Sequence, residues 1–220
     1  MKNRYDLVLF DLDGTLTDSA RGINNGQCAA FRHVGWPVPS PAVLRTFIGP
    51  PFGNIIRQTY PDMPEETVQE LMQYYREYYN RQGAYENSVY PGICGLLTQL
   101  RKNGLKLAVA TSKPMTPAKQ VLDYFELSSR FDYISAESDS DFGRGKETLI
   151  LPVLEHFHVP ASRAVMVGDT KYDAAGARKA GIDFVGVLYG FGTREEMERE
   201  GAVNFVETVS ALGKFLIDNF

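Results

Sequence analysis

The sequence predicts an α/β fold: a parallel sheet covered by helices on both faces, with an all-helical segment inserted after the first strand. Two observations predict the sheet. Short apolar, β-branched runs recur along the chain, each too brief for an ordinary helix, and amphipathic helical patterns lie between them. Strands buried on both faces read as near-continuous apolar runs, and their alternation with helices marks parallel pairing. A third observation predicts the insertion. Between Asp18 and Tyr90 no strand pattern stands out, and prolines at 37, 39, 41, 50, 51, 61 and 64 punctuate helical ones.

Taken in order, Leu7–Phe10 is the first strand, and the chain then leaves the core. Within Glu65–Tyr79, the residues Val68, Leu71, Met72, Tyr75 and Tyr79 fall at helical spacing and form a face that needs a partner. Tyr74, Tyr75, Tyr78 and Tyr79 read as core of that segment. The run FIGPPF at 47–52 is a stiff apolar turn, suited either to closing over a site or to packing two helices. Tyr90-Pro91-Gly92 is the return hinge. Strands then follow at Leu105–Ala110, Tyr133–Ser135, Ala164–Val167 and Phe184–Leu188, and helices at Ile93–Asn103, Ala118–Tyr124, Glu147–Phe157, Asp173–Ala180 and Thr208–Phe220. Residues 1–16 and 88–220 are thus expected to form a Rossmann-like core, and 17–87 a helical domain.

Composition narrows the function. The 220 residues are 44% apolar and 23% charged, an ordinary globular balance. A net charge of −4 without any Lys/Arg-rich run argues against a nucleic-acid partner. Cys28 and Cys94 stand far apart without metal-ligand spacing, which suits a reducing compartment. No apolar stretch approaches a membrane span, and MKNRYDLVLF runs into a strand without a signal-like apolar region, so a cytoplasmic location and no membrane partner are expected. A monomer or homodimer is expected.

In open parallel sheets ligands bind beyond the carboxyl ends of the strands, so the polar residues there are read together. The first strand runs into Asp11, Asp13 and Thr15, and the second into Thr111, Ser112 and Lys113. Lys146 opens the helix after the third, and Gly168-Asp169-Thr170 follows the fourth, with Asp173 close behind. Asp11 and Asp13 share a face if the backbone stays extended, and such a pair calls for a cation, a proton on one member, or solvent. Together with Asp169 and Asp173 they outnumber Lys146. A hard divalent cation is the natural remedy, and Mg²⁺ suits a site with few carboxylates and a phosphate. Thr111 and Ser112 offer donors to phosphoryl oxygens, as does the Asp13–Thr15 turn, where Gly14 lets backbone approach a ligand. Asp173 also reads as a helix cap. Lys113 reads as solvent-facing or as a phosphate contact. His33, His156 and His158 read as surface or packing residues, and Arg21, Asn24, Gln27, Arg45 and Arg57 as solvated helix faces.

Four motifs occur in order: DLDGT at 11–15, a hydrophobic strand ending in Thr111, Lys146, and GDTKYD at 168–173. With FIGPPF and VLYGFGTREE at 187–196, the sequence resembles the haloacid dehalogenase superfamily over essentially its whole length, in the phosphatase branch with a helical cap after the first motif. The resemblance implies that Asp11 is a nucleophile forming an aspartyl-phosphate, and that Asp13 is the acid and then the base. It implies that Gly14, Thr15, Thr111, Ser112 and Lys146 hold the phosphoryl group. Mg²⁺ would sit on Asp11, the Asp13 carbonyl and Asp169, with Asp173 in or beside that set. Like charges at about 4 Å cost roughly 4 kcal/mol at an effective dielectric of 20, which the cation and Lys146 would offset. The implied substrate is a small phosphorylated metabolite, with the cap excluding macromolecules and bulk water. The resemblance implies a phosphoglycolate phosphatase-like enzyme, with a 5′-nucleotidase acting on nucleoside monophosphates as the alternative, which the sequence does not separate from it. Asp13 argues against a dehalogenase, the lack of His in Asp18–Asn25 against a phosphomutase, and the retained acids and lysine against a non-catalytic binding protein.

Overall fold

The computed structural model describes residues 4–49, 52–138 and 145–218. In chain order its elements are β1 (Leu7–Phe10), β2 (Thr17–Asp18), α1 (Ala20–His33), α2 (Pro41–Thr46), α3 (Phe52–Thr59), α4 (Glu65–Arg81), β3 (Ser88–Val89), α5 (Ile93–Lys102) and β4 (Lys106–Pro114). There follow α6 (Met115–Tyr124), β5 (Tyr133–Glu137), α7 (Glu147–Phe157), β6 (Ala164–Gly168), α8 (Lys171–Ala180), β7 (Asp183–Val187), α9 (Arg194–Arg199), β8 (Phe205–Val206) and α10 (Val209–Asp218). The chain divides into two compact units, residues 1–18 with 89–220, and residues 19–88.

The first unit holds a six-stranded sheet in the order β5-β4-β1-β6-β7-β8, parallel at every pairing. β1 is central, and all four of its residues are fully buried. Leu7 and Leu9 join Leu149, Ile150, Val153, Ala174 and Ala177 from α7 and α8 in one cluster. Val8 and Phe10 point to the other face and are equally buried, with Phe10 in edge contact with Phe131 at 6.2 Å. Two-sided burial is the reason an unbroken apolar run makes a strand here. Each such side chain contributes roughly 1.5–3 kcal/mol.

Several boundaries differ from the sequence pattern, each for a local reason. β4 continues past Ala110 to Pro114 because β5 keeps pairing with it, through a register shift between Thr111 and Pro114. Thr111, Ser112 and Lys113 therefore belong to the strand. α8 begins at Lys171, two residues early, because Thr170 caps it; it ends at Gly181, whose φ of 73° suits a left-handed stop. α9 and the two-residue strands β2, β3 and β8 are too short to produce a period.

The second unit is helical between its boundary residues. Its core gathers Ala30, Phe31, Leu44, Phe47, Ile56, Met63, Val68 and Leu71, with Tyr74 and Tyr75 packed against it. Ser40 caps α2 through the Val43 amide at 3.4 Å, with Pro41 at the first helical position. Phe47 and Phe52 both pack inward, Phe52 against Tyr75 at 4.7 Å. Pro50 and Pro51, the centre of the expected turn, lie outside the described residues.

Candidate active site

β1 and β6 place the first acid. The Asp11 amide donates to the Val167 carbonyl at 2.9 Å, so its side chain stands where the two central strands end. The chain then folds back over Leu12–Thr17: the amides of Leu16 and Thr17 donate to the Leu12 carbonyl at 2.9 and 3.0 Å, and that of Gly14 to the Thr17 carbonyl at 2.8 Å. Gly14 has φ 86°, a region strained for any other residue, and a side chain there would collide with the Asp169 carboxylate.

Lys146 precedes α7 and is 4% exposed. Its Nζ lies 2.8 Å from Asp11 Oδ1 and 2.7 Å from Asp173 Oδ1. Gly176 of α8 makes room for it, since a Cβ there would overlap that of Lys146. Asp173 divides its two oxygens. Oδ2 accepts from the Thr170 amide at 3.0 Å and hydroxyl at 2.7 Å, while Oδ1 faces the lysine. Asp173 thus closes the capping box that Thr170 opens, and with its other oxygen faces Lys146. Asp169, fully buried after β6, accepts from the Thr15 hydroxyl at 3.0 Å on Oδ1 and from the Phe191 amide at 2.8 Å on Oδ2.

Asp11, Asp169 and Asp173 each offer an oxygen within 4.8 Å of the others. One ammonium balances one of three buried carboxylates. Burial, and then the Lys146, Asp173 and Asp13 charges acting in opposite senses, leave the Asp11 carboxyl pushed up to about 6. Asp169 is pushed well up by burial and by Asp173 and Asp11, against the Phe191 and Thr15 donors. Burial would lower the Lys146 ammonium, but Asp11 and Asp173 outweigh it and its pKa is raised. Asp11 Oδ1 and Asp173 Oδ1 share the single Lys146 ammonium between them. Three buried carboxylates around one ammonium, with their oxygens this close together, fit a hard divalent cation.

Asp13 forms a second group. Lys113 Nζ donates to Asp13 Oδ2 at 2.8 Å and Oδ1 at 3.1 Å. The solvent-facing reading of Lys113 needs correction: its side chain is only 7% exposed and its ammonium is taken up by Asp13. Thr111 is buried, and its hydroxyl accepts the Lys113 amide at 3.2 Å; Ser112 is half-buried beside it. His33 stacks on Tyr74 at 4.1 Å and His156 packs on Tyr133 at 4.6 Å, both packing roles.

Sequence reasoning gave no role to Tyr189–Gly192, the turn after β7. Phe191 supplies a donor to Asp169, and the Tyr189 hydroxyl donates to the Thr15 carbonyl at 3.1 Å. Tyr90, read as part of a hinge, donates its hydroxyl to the Tyr189 carbonyl at 3.3 Å. The available signal was two glycines at the carboxyl end of a parallel strand.

The family described as haloacid dehalogenase-like hydrolase matches residues 8–187. A 5′-nucleotidase of Pseudomonas aeruginosa is 36% identical, over 97% of this chain and 96% of that one. Tyrosine-protein kinase PtkA of Mycobacterium tuberculosis is 39% identical over 88% of this chain, which spans 65% of that protein. The crystal structure of a predicted phosphatase from Clostridium acetobutylicum superposes with TM-score 0.89 and 39% identity, covering 97% and 99% of the two chains. Phosphoglycolate phosphatases match at 25% and 28% identity. With its central strands, strand-end acids and lysine arranged as described, the chain belongs to the haloacid dehalogenase-like hydrolases and is an enzyme of their phosphatase branch.

Proposed function

We propose that this enzyme is a Mg²⁺-dependent phosphomonoester hydrolase that acts on a small phosphorylated metabolite through an aspartyl-phosphate on Asp11. The observation that carries this reading is the Asp11–Lys146 pair at 2.8 Å within a buried acidic triad. It supplies a nucleophile that needs no deprotonation at neutral pH, beside a cation that offsets the charge of an incoming phosphate. Asp11, Asp169, Asp173 and the Asp13 carbonyl would hold Mg²⁺, and the metal would neutralise charge on the phosphoryl oxygens.

An Asp11 oxygen attacks phosphorus as the bond from phosphorus to the leaving oxygen breaks, and Asp13 gives that oxygen its proton. Asp13 then takes a proton from a water whose oxygen attacks phosphorus. The bond from phosphorus to Asp11 breaks, inorganic phosphate leaves, and the carboxylate is restored. Lys113, bonded to both Asp13 oxygens, sets where that carboxyl stands. Thr111, Lys146 and the Ser112 backbone hold the transferring group; the Gly14 and Thr15 amides, expected from the sequence to join them, are turned instead to the Thr17 and Leu12 carbonyls.

Two substrate classes compete, nucleoside monophosphates and phosphoglycolate. The former is favoured by the 36% identity of the 5′-nucleotidase over both full lengths, against 25% and 28% for the phosphoglycolate phosphatases. The test compares kcat/KM for nucleoside monophosphates, phosphoglycolate, sugar phosphates, pyrophosphate and phosphotyrosine. A separate arm offers ATP with a tyrosine peptide, for the activity named in the kinase relative. Preference above about 100-fold, or ~2.7 kcal/mol, identifies a dedicated substrate. Chelator is expected to stop turnover and added Mg²⁺ to restore it; full activity in excess chelator removes the metal from the proposal.

A further inference from the structure

Asp169 is enclosed by two loops from distant parts of the chain. One is the Leu12–Thr17 turn, which gives the Thr15 hydroxyl to Oδ1 at 3.0 Å. The other is Tyr189–Gly192, which gives the Phe191 amide to Oδ2 at 2.8 Å. The loops also hold each other, through the Tyr189 hydroxyl and the Thr15 carbonyl at 3.1 Å. Each Asp169 oxygen thus has one fixed donor and keeps lone-pair capacity for a further partner.

The glycines in the second loop show what it is built around. Neither Gly190 nor Gly192 has a positive φ, so backbone conformation does not require glycine at either position. Space does. A Cβ on Gly190 would overlap the Asp169 Cβ, and would lie 2.5 Å from both Asp169 Oδ2 and the Gly14 carbonyl oxygen. A Cβ on Gly192 would overlap the Asp169 carbonyl and lie 3.1 Å from the Thr170 Cα. In both cases the obstructing atoms include Asp169 itself. Removing the side chains lets the loop backbone press against that aspartate and aim the Phe191 amide at its carboxylate.

We infer that Tyr189–Gly192 is a positioning device for Asp169 that sets the affinity of the site for its divalent cation without touching substrate. This rests on the metal-dependent reading above. Hydrogen bonds behind a ligating carboxylate fix its orientation, and their loss typically costs roughly 10–100-fold in metal affinity or activity.

The experiment titrates Mg²⁺ calorimetrically into the full chain and, in parallel, follows turnover against Mg²⁺ concentration. Gly190→Ala is expected to weaken Mg²⁺ binding by roughly 10–100-fold, with turnover recovering as Mg²⁺ is raised. Tyr189→Phe, which keeps the ring and loses the bond to Thr15, is expected to weaken it by about 2–10-fold. Gly95→Ala is the control, since a Cβ there meets nothing within 4 Å, and it leaves the affinity unchanged. A loop that serves stability alone would lower the melting temperature without moving the Mg²⁺ affinity. A folded Gly190→Ala that binds as the wild type does overturns the inference. If Gly190→Ala does not fold, unchanged affinity in Tyr189→Phe overturns it. A wild-type chain that takes up no Mg²⁺ brings down the functional reading as well, so the two failures are told apart by which protein shows them.

Discussion

Arg57 and Glu65 in the helical unit stand as close to each other as Lys146 stands to its two aspartates in the α/β unit. The first pair makes two contacts, at 2.9 and 2.5 Å, with side chains 39% and 58% exposed. Lys146 makes its own at 2.8 and 2.7 Å, with side chains 2%, 11% and 0% exposed. Distance does not separate them; water does. Solvent already satisfies Arg57 and Glu65, and holding two long side chains in register costs entropy that cancels most of the attraction. Hydrogen bonds from Arg57 and Gln69 bring the Glu65 carboxyl down to about 2, yet its exposure leaves little of that as stability. At the buried site the ions have lost their hydration, the pairing is incomplete, and the excess charge is retained in the fold. A fold keeps such a cluster where a ligand can relieve it.

The largest effect is expected from Asp11→Asn. Loss of the nucleophile should lower turnover by about 10⁴-fold or more, while stability stays level or rises because one of three crowded carboxylates has become neutral. Near-wild-type activity would refute the covalent route. Next comes Lys146→Met, which strands the acids without a counter-charge. A loss of roughly 3–5 kcal/mol in urea unfolding at neutral pH is expected, together with loss of turnover; a small change would mean that water reaches the cluster.

The third effect is in pH. In chelator, the folded chain keeps a proton on Asp11 up to about 6, whereas the unfolded chain releases it near 3.8. Between those values the native state binds more protons, so stability is greatest below the window and falls as pH rises through it, by up to about 3 kcal/mol. Asp169 shifts in the same direction. Thermal unfolding of wild type and Asp11→Asn in chelator should therefore converge at low pH and separate by pH 7. Parallel curves would remove the charge-crowding account. The smallest effect is expected from Glu65→Gln, with no resolvable change in the urea midpoint; a clear drop would mean that the exposed pair is worth more than its solvation suggests.

What was legible in the sequence followed from interactions between near neighbours. Leu7–Phe10 and Ala164–Val167 announce themselves because strands wet on neither face must be apolar throughout. Placing polar residues at the carboxyl ends of such strands brings Asp11 and Asp169 to one edge of the sheet. The inserted helical segment was visible from its prolines and its apolar face, and so was the capping capacity of Asp173.

Tertiary structure alone decided how the charges are shared. That Lys146 takes Asp11 and Asp173 together, that Lys113 turns inward to Asp13 across an irregular strand, and that Phe191 aims its amide at Asp169 all depend on groups far apart in the chain. No local pattern encodes such choices. Each is set by which atoms remain unpaired once the sheet has closed and water has gone, and that depends on the packing of the whole unit.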